Sequence, residues 1–185
     1  DVDSENQSVV DNAVCEQQFM AITPVVQEKG INEKGIKKLT STCETWTILG
    51  AMGGTNTPNP ALDTILDGNG FYQNGPVTFQ IDYGTTGCAG NDGQTKTGKI
   101  NVTCPRKWNQ TASNEVIVEL ISFKSNNISY TGTIKINRPS TNVLVTEVIN
   151  GKATKGSWVI FYDGTKTLTQ IAGMSTPGNE ADDEF

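Results

Sequence analysis

The sequence predicts a mainly β protein, an antiparallel β-sandwich or a strongly curved sheet of seven to eight strands with one N-terminal helix packed on it. Three observations carry this. Several segments alternate apolar and polar residues with period two, as Val77, Phe79, Ile81 and Tyr83 do against Thr78, Gln80 and Asp82. Clusters of Gly, Asn and Asp punctuate these segments at intervals of roughly 8 to 15 residues, the spacing of strand-and-turn domains. Near the N-terminus a different period takes over, with Cys15, Phe19, Ile22 and Val26 on one helical stripe.

Taken in order, residues 4–29 read as that helix. Ser4 or Ser8 offers a cap and Gly30 a stop, while Pro24 removes one helical hydrogen bond and predicts a kink or an end there. The stripe suits a helix docked on a sheet, with Cys15 on the docking face. Residues 42–49 alternate as a strand. Residues 50–75 form a long loop with Gly53-Gly54, Pro58, Pro60 and Asn74-Gly75, and a loop of that length is commonly functional.

Residues 77–83 and 100–104 then read as antiparallel neighbours around a turn rich in Gly, Asn and Asp. This places Cys88 in the turn and Cys104 on the core side, with Pro105 ending the strand. Residues 115–123 and 128–137 make the clearest hairpin, joined by Ser125-Asn126-Asn127. The first of these is apolar on both faces, as a strand buried on both sides would be. Strands over 143–149, 157–162 and 165–171 follow, with Asp163-Gly164 as a turn or bulge. The domain is read as 1–174, and 175–185 as an acidic tail docked on a sheet edge or a neighbouring subunit.

Composition removes several function classes. Fourteen Lys and Arg against 20 Asp and Glu give a net charge of −6, the wrong sign for a nucleic-acid backbone or an anionic membrane surface. No apolar run approaches the roughly 18 residues of a membrane span, so no membrane insertion is expected. The chain has 0 histidines, which removes the Ser-His-Asp and Cys-His nucleophile systems and the common zinc sites. Asp1 is an unusual natural start and predicts processing upstream.

Four cysteines, Cys15, Cys43, Cys88 and Cys104, show no C-x-x-C spacing. An even count in this composition predicts two disulfides and an oxidising compartment, with three connectivities open.

Other candidates are weaker. Asp63, Asp67, Gly68 and Asn69 resemble a calcium loop, but Ile65 and Asn74 stand where ligands are needed, and a turn explains them. Asp82, Glu115, Glu119 and Glu147 lie on strands and could supply a glycosidase pair only if two faced each other. Trp108, between Lys107 and Asn109 in a loop, is the aromatic most expected to be exposed for ligand contact. Asp63-Thr64-Ile65 matches a short bacterial O-glycosylation pattern, making Thr64 a candidate glycan site. No catalytic residue, cofactor or metal is assigned.

The blocks I-D-Y-G (81–84), G-C (87–88), D-G (92–93), T-G-K-I-N-V-T (97–103), I-N-G (149–151), W-V-I-F (158–161) and T-x-T-L-T-Q-I-A-G (165–173) resemble uncharacterised exported proteins of Bacteroidetes-type bacteria, many of them surface lipoproteins. The resemblance implies export, an antiparallel β fold with a leading helix, and no assigned activity. It implies Cys43–Cys88 as one bridge, because those two cysteines recur together in that family. Cys15–Cys104 is then left as the other.

The expectation is therefore a non-enzymatic structural, adhesive or assembly subunit, extracellular or on the surface of a Gram-negative cell. It would polymerise by strand addition through a terminal segment, with a protein partner. The rival is a carbohydrate-binding module or a glycan hydrolase accessory, with a glycan as partner.

Overall fold

A computed structural model of the chain describes residues 13, 15–17, 19–23, 43–51, 57–58, 77–90, 93–104, 115–140 and 142–172. The expected helix α1 is present in its middle part, between residues 13 and 23. The strands are β1 (Thr45–Ala51), β2 (Thr57–Pro58), β3 (Val77–Asp82), β4 (Cys88–Ala89), β5 (Thr95–Cys104), β6 (Glu115–Ser125), β7 (Ile128–Ser140), β8 (Val143–Lys155) and β9 (Trp158–Thr169).

All belong to one antiparallel sheet in the order β2-β1-β3-β5-β6-β7-β8-β9, with β4 folded back onto β5. The sandwich alternative therefore gives way to a single open sheet. From β5 to β9 each strand lies beside its neighbour in sequence, as consecutive antiparallel strands commonly do, whereas β1 lies between β2 and β3. The Asn126-Asn127 turn has φ of 47° and 65°, the paired left-handed geometry of a tight hairpin. Gln94 ties that turn to β5: its Oε1 accepts from Ser125 Oγ at 3.0 Å and from Asn126 Nδ2 at 2.7 Å.

One face of the sheet is apolar and buried. Phe79, Ile81, Ile100, Val102, Val118, Ile134 and Val148 line it. The register pairs them across strands: Phe79 with Val102, Ile81 with Ile100, Val102 with Val118, Val118 with Ile134 and Ile134 with Val148. The other face carries side-chain pairs such as Thr78–Thr103 at 2.9 Å and Gln80–Asn101 at 2.8 Å.

A line of bulges crosses this sheet. The ladder slips between Thr97 and Lys99 on β5, between Glu119 and Phe123 on β6, between Thr131 and Thr133 on β7 and between Val148 and Gly151 on β8. These slips sit at one level, so five adjacent strands turn together. Gly98 (φ 79°), Ser122 (φ 50°), Gly132 (φ 127°) and Asn150 (φ 53°) supply the left-handed positions. The result is a crease.

The crease also corrects the reading of β6 as buried on both sides. Its buried set is Val116, Val118 and Leu120 before Ser122, then Phe123 and Ser125 after it. The bulge moves the set from even to odd numbers, and Ile121 stays 41% exposed. β8 does the same, from Leu144, Thr146 and Val148 to Gly151 and Ala153. Likewise, the two expected strands 157–162 and 165–171 are one strand, β9, running through Asp163-Gly164.

α1 packs in the fold of the crease. Phe19 meets Tyr130 edge-on at 5.5 Å between ring centroids and stacks on Tyr162 at 5.9 Å. Gly151 makes room for it: a Cβ there would stand 3.2 Å from the Phe19 ring and 2.4 Å from the Tyr162 carbonyl. Glu16 adds an ion pair with Lys166 at 3.6 Å, exposed and therefore weak.

Gly98 gives a direct test of the crease. It combines a left-handed φ with a Cβ position only 2.2 Å from Ser122 O. Gly98→Ala is expected to cost roughly 2–4 kcal/mol in urea unfolding, strain plus a clash with backbone. Gly84, at φ 70°, is also left-handed, but a Cβ there meets nothing within 4 Å, and Gly84→Ala should cost only about 1–2 kcal/mol.

Candidate functional site

Three features gather chemistry-bearing residues: the Cys88 loop, the cluster around Cys15, and the polar face. The Cys88 loop is built from β3. After Tyr83 the chain turns at Gly84, whose N–H donates to Asp82 Oδ1 at 2.8 Å. Gly98 closes the turn, accepting from Tyr83 N and donating to Gly84 O, each at 2.9 Å. The chain then returns as β4, which pairs Cys88 with Lys96 and Ala89 with Thr95. This sets Cys88, buried, against the residues that lead into β1. The disulfide Cys43–Cys88 joins them, with Cα atoms 5.5 Å apart and a sequence separation of 45. Disulfides form and persist chiefly in oxidising environments, which this bridge suits.

Cys15 and Cys104 are different. Both keep their thiols, and both are buried. The expected Cys15–Cys104 bridge is not formed, and the topology explains why. Cys15 lies by Tyr130 and Tyr162, at the crease. Cys104 ends β5, opposite Val77. The crease crosses β5 at Gly98, and six residues of strand from there amount to about 20 Å, far beyond the roughly 7 Å that a disulfide spans. The helix stripe did point Cys15 at the sheet; it gave no information on which end of the sheet.

The cluster beneath α1 consists of Cys15, Phe19, Tyr130 and Tyr162, with Phe123 and Tyr83 next in line. Burial pushes the Cys15 thiol up to about 11 and, with Cys15 beside it, the Tyr130 hydroxyl up to about 12. Burial, Glu16 and Cys15 also raise Tyr162. A thiol held this far from ionisation is not a nucleophile at neutral pH. The cluster is core.

The four strand carboxylates do share the polar face, but the register separates them. Asp82 pairs with Lys99, Glu119 with Asn101 and Thr133, Glu147 with Lys135 and Thr165, and Glu115 with Asn137. No two of them are cross-strand partners in this register. Two have lysine neighbours instead: Lys99 reaches Asp82 at 3.0 Å and Lys135 reaches Glu115 at 3.4 Å. Burial alone would raise Asp82, but the Gly84 N–H and the Lys99 ammonium outweigh it and hold the carboxyl below its ordinary value. A glycosidase acid needs the opposite shift. Thr64, Trp108 and the Asp63–Asn69 turn lie outside the described residues. Among the described residues no group of three or more His, Cys, Asp and Glu could hold a metal ion, and no helix is long and apolar enough to cross a membrane.

The feature that sequence reading passed over is the outer edge of β9. Its first half, Trp158-Val159-Ile160-Phe161-Tyr162, is apolar on both faces. On the core side Trp158 and Ile160 are partly buried and Tyr162 is buried. On the polar side Val159 is 43% and Phe161 73% exposed. Lys152, the cross-strand partner of Phe161, holds its ammonium 5.6 Å from the ring centroid. Among the described residues β9 pairs with β8 alone. The signal was available: a last strand in a meander is an edge, and W-V-I-F-Y is too apolar for a solvated one.

No family model, curated protein or solved structure matches this chain.

Two measurements follow from these sites. A thiol-specific chromophoric reagent should find two thiols in the unfolded, unreduced protein and four after reduction. Replacing the bridge with Cys43→Ala and Cys88→Ala should lower stability by about 4 kcal/mol on the chain-entropy account of a 45-residue loop.

Stability should also fall at high pH. The unfolded chain loses the Cys15 proton near 9.0, whereas the native state keeps it to about 11. Between those values the unfolded state binds fewer protons, so stability declines as pH rises. Tyr130 extends the decline to about 12. In urea melts across this range, Cys15→Ala should flatten the first part of the slope and leave the second; an unchanged slope would contradict the burial of the thiol.

Proposed function

We propose that the protein is an exported cell-surface subunit, structural or adhesive, that acts by assembly rather than catalysis. The observation that supports this best is the open sheet itself, stapled by a disulfide near one edge and presenting an apolar strand at the other. Strand addition is the mode of association that such an edge offers, because an incoming strand finds a row of backbone donors and acceptors already aligned. The terminal segments expected from the sequence to supply that strand lie outside the described residues.

The disulfide supports export, and the acidic balance with a Thr- and Asn-rich polar face suits a surface exposed to water. A carbohydrate-binding or glycan-cleaving role draws less support, since the strand carboxylates are dispersed and two are matched to lysines.

Labelling of intact producing cells with a membrane-impermeant amine reagent should modify this protein, and protein isolated from those cells under thiol-blocking conditions should retain the Cys43–Cys88 bridge. Recovery of an unlabelled protein with four reduced cysteines would remove the surface assignment.

A further inference from the structure

We infer that the β9 edge pairs with the β9 edge of a second copy, antiparallel about a two-fold axis at Ile160, to form a closed dimer. This deepens the assembly reading above by naming the partner and the register, and it rests on that reading only for its biological setting.

The sheet has two edges, and they are unlike. At one, β1 is covered by β2, which is two residues long and contains Pro58, a residue with no N–H to offer. That edge is blunted. At the other, β9 is twelve residues long. Its second half carries the charged Lys166 and three threonines, Thr165, Thr167 and Thr169, all exposed. Its first half carries no charge between Trp158 and Tyr162. Natural sheets protect such an edge with lysine, proline or a covering segment. Here Val159 and Phe161 stand exposed beside it.

The sequence of that half is complementary to itself. In an antiparallel pair centred on Ile160, Trp158 faces Tyr162 of the second copy, Val159 faces its Phe161, and Ile160 faces its own counterpart. On the polar side, each Val159 would then lie against a Phe161, so both exposed apolar residues of each copy are covered. Aromatic and β-branched residues are favourable cross-strand partners. On the core side, Trp158, Ile160 and Tyr162 would continue the buried face across the junction. A register centred on Lys166 would instead set two ammonium groups opposite each other and leave Phe161 in water.

The terminal segments fit the edge less well. Residues 175–185 contain Pro, Gly, Asn and four acidic residues with scarcely any β-branched side chain, and residues 1–8 are equally polar. Because the same edge serves both copies, the contact closes as a dimer and does not propagate. The strand pair is short, so association should be reversible and concentration-dependent.

Sedimentation of the full chain across a wide concentration range should show a monomer–dimer equilibrium, and Phe161→Lys should weaken it at least tenfold. Phe161 is exposed, so this variant should keep the wild-type circular dichroism. Register is read independently by cysteine substitution. At the two-fold centre, Cα atoms should lie roughly 4.5–5.5 Å apart, within disulfide range. Ile160→Cys should therefore form a reducible covalent dimer under mild oxidation, whereas Thr167→Cys should not.

A chain that stays monomeric throughout, a dimer indifferent to Phe161→Lys, or equal cross-linking by the two cysteine variants would overturn the proposal. None of these results depends on where the protein resides in the cell. Surface labelling can therefore fail while the dimer stands, and the reverse.

Discussion

Gly98 holds its N–H and C=O between Gly84 and Tyr83 while its backbone crosses within touching distance of Ser122. That contact is the first stitch of the crease, and most of the structure depends on the crease. A twisted antiparallel sheet with one apolar face must either meet a second sheet or bend around something smaller. This chain has only a short helix in its described second layer. The bend lets β6 to β9 wrap that helix, so Phe19 can reach Tyr130 on β7 and Tyr162 on β9 at once. Without the shift of parity at Ser122 and Asn150, Phe123 and Ala153 would face water, and the cluster under α1 would be lost.

The same geometry separates the two halves of the buried face. Beyond the crease it is aromatic, with rings meeting edge-on, stacked or tilted. On the near side it is mostly aliphatic, a ladder of Ile and Val in register with Phe79 as its one paired ring among those named. Cys15 belongs to the first region and Cys104 to the second, and this is why a pairing by elimination failed while Cys43–Cys88 formed. A disulfide needs two backbones brought together by the ladder. β4, folded back onto β5, does this for Cys88, and no ladder does it for Cys15 and Cys104.

Much of the fold was legible because alternation is a local signal. The strand around Phe79 and Ile81, the hairpin with Asn126-Asn127 at its tip, and the helix stripe from Cys15 to Ile22 each follow from a few neighbouring residues. The crease was not legible in that way. Ser122 does not advertise a left-handed conformation, and the two apolar sets of β6 look like two buried faces unless the one-residue shift is known. Asp163-Gly164 was visible as an irregularity, yet the bulge falls largely on β8, where Asn150 turns and donates its N–H to the Asp163 carboxylate. The carboxylates were identifiable as strand residues, but their mutual positions depend on register across four strands, which alternation alone does not fix.

The two ends of the sheet are therefore held by different means. β1 is bonded covalently to the β4 turn, so its end of the sheet cannot separate far even when its hydrogen bonds open. β9 has no such bond. Among the described residues it is held by one ladder to β8, by Tyr162 under Phe19, and by an exposed ion pair between Lys166 and Glu16. An edge strand with one ladder is the element expected to open most readily. Anything that binds the closed form of β9 stabilises it in proportion to RT ln(1 + [L]/Kd), with a second copy of the chain counting as the ligand. The apolar half of β9 thus has a thermodynamic consequence beyond recognition. Pairing would add a second ladder to the one with β8, and would tie the stability of this end of the sheet to the concentration of the protein.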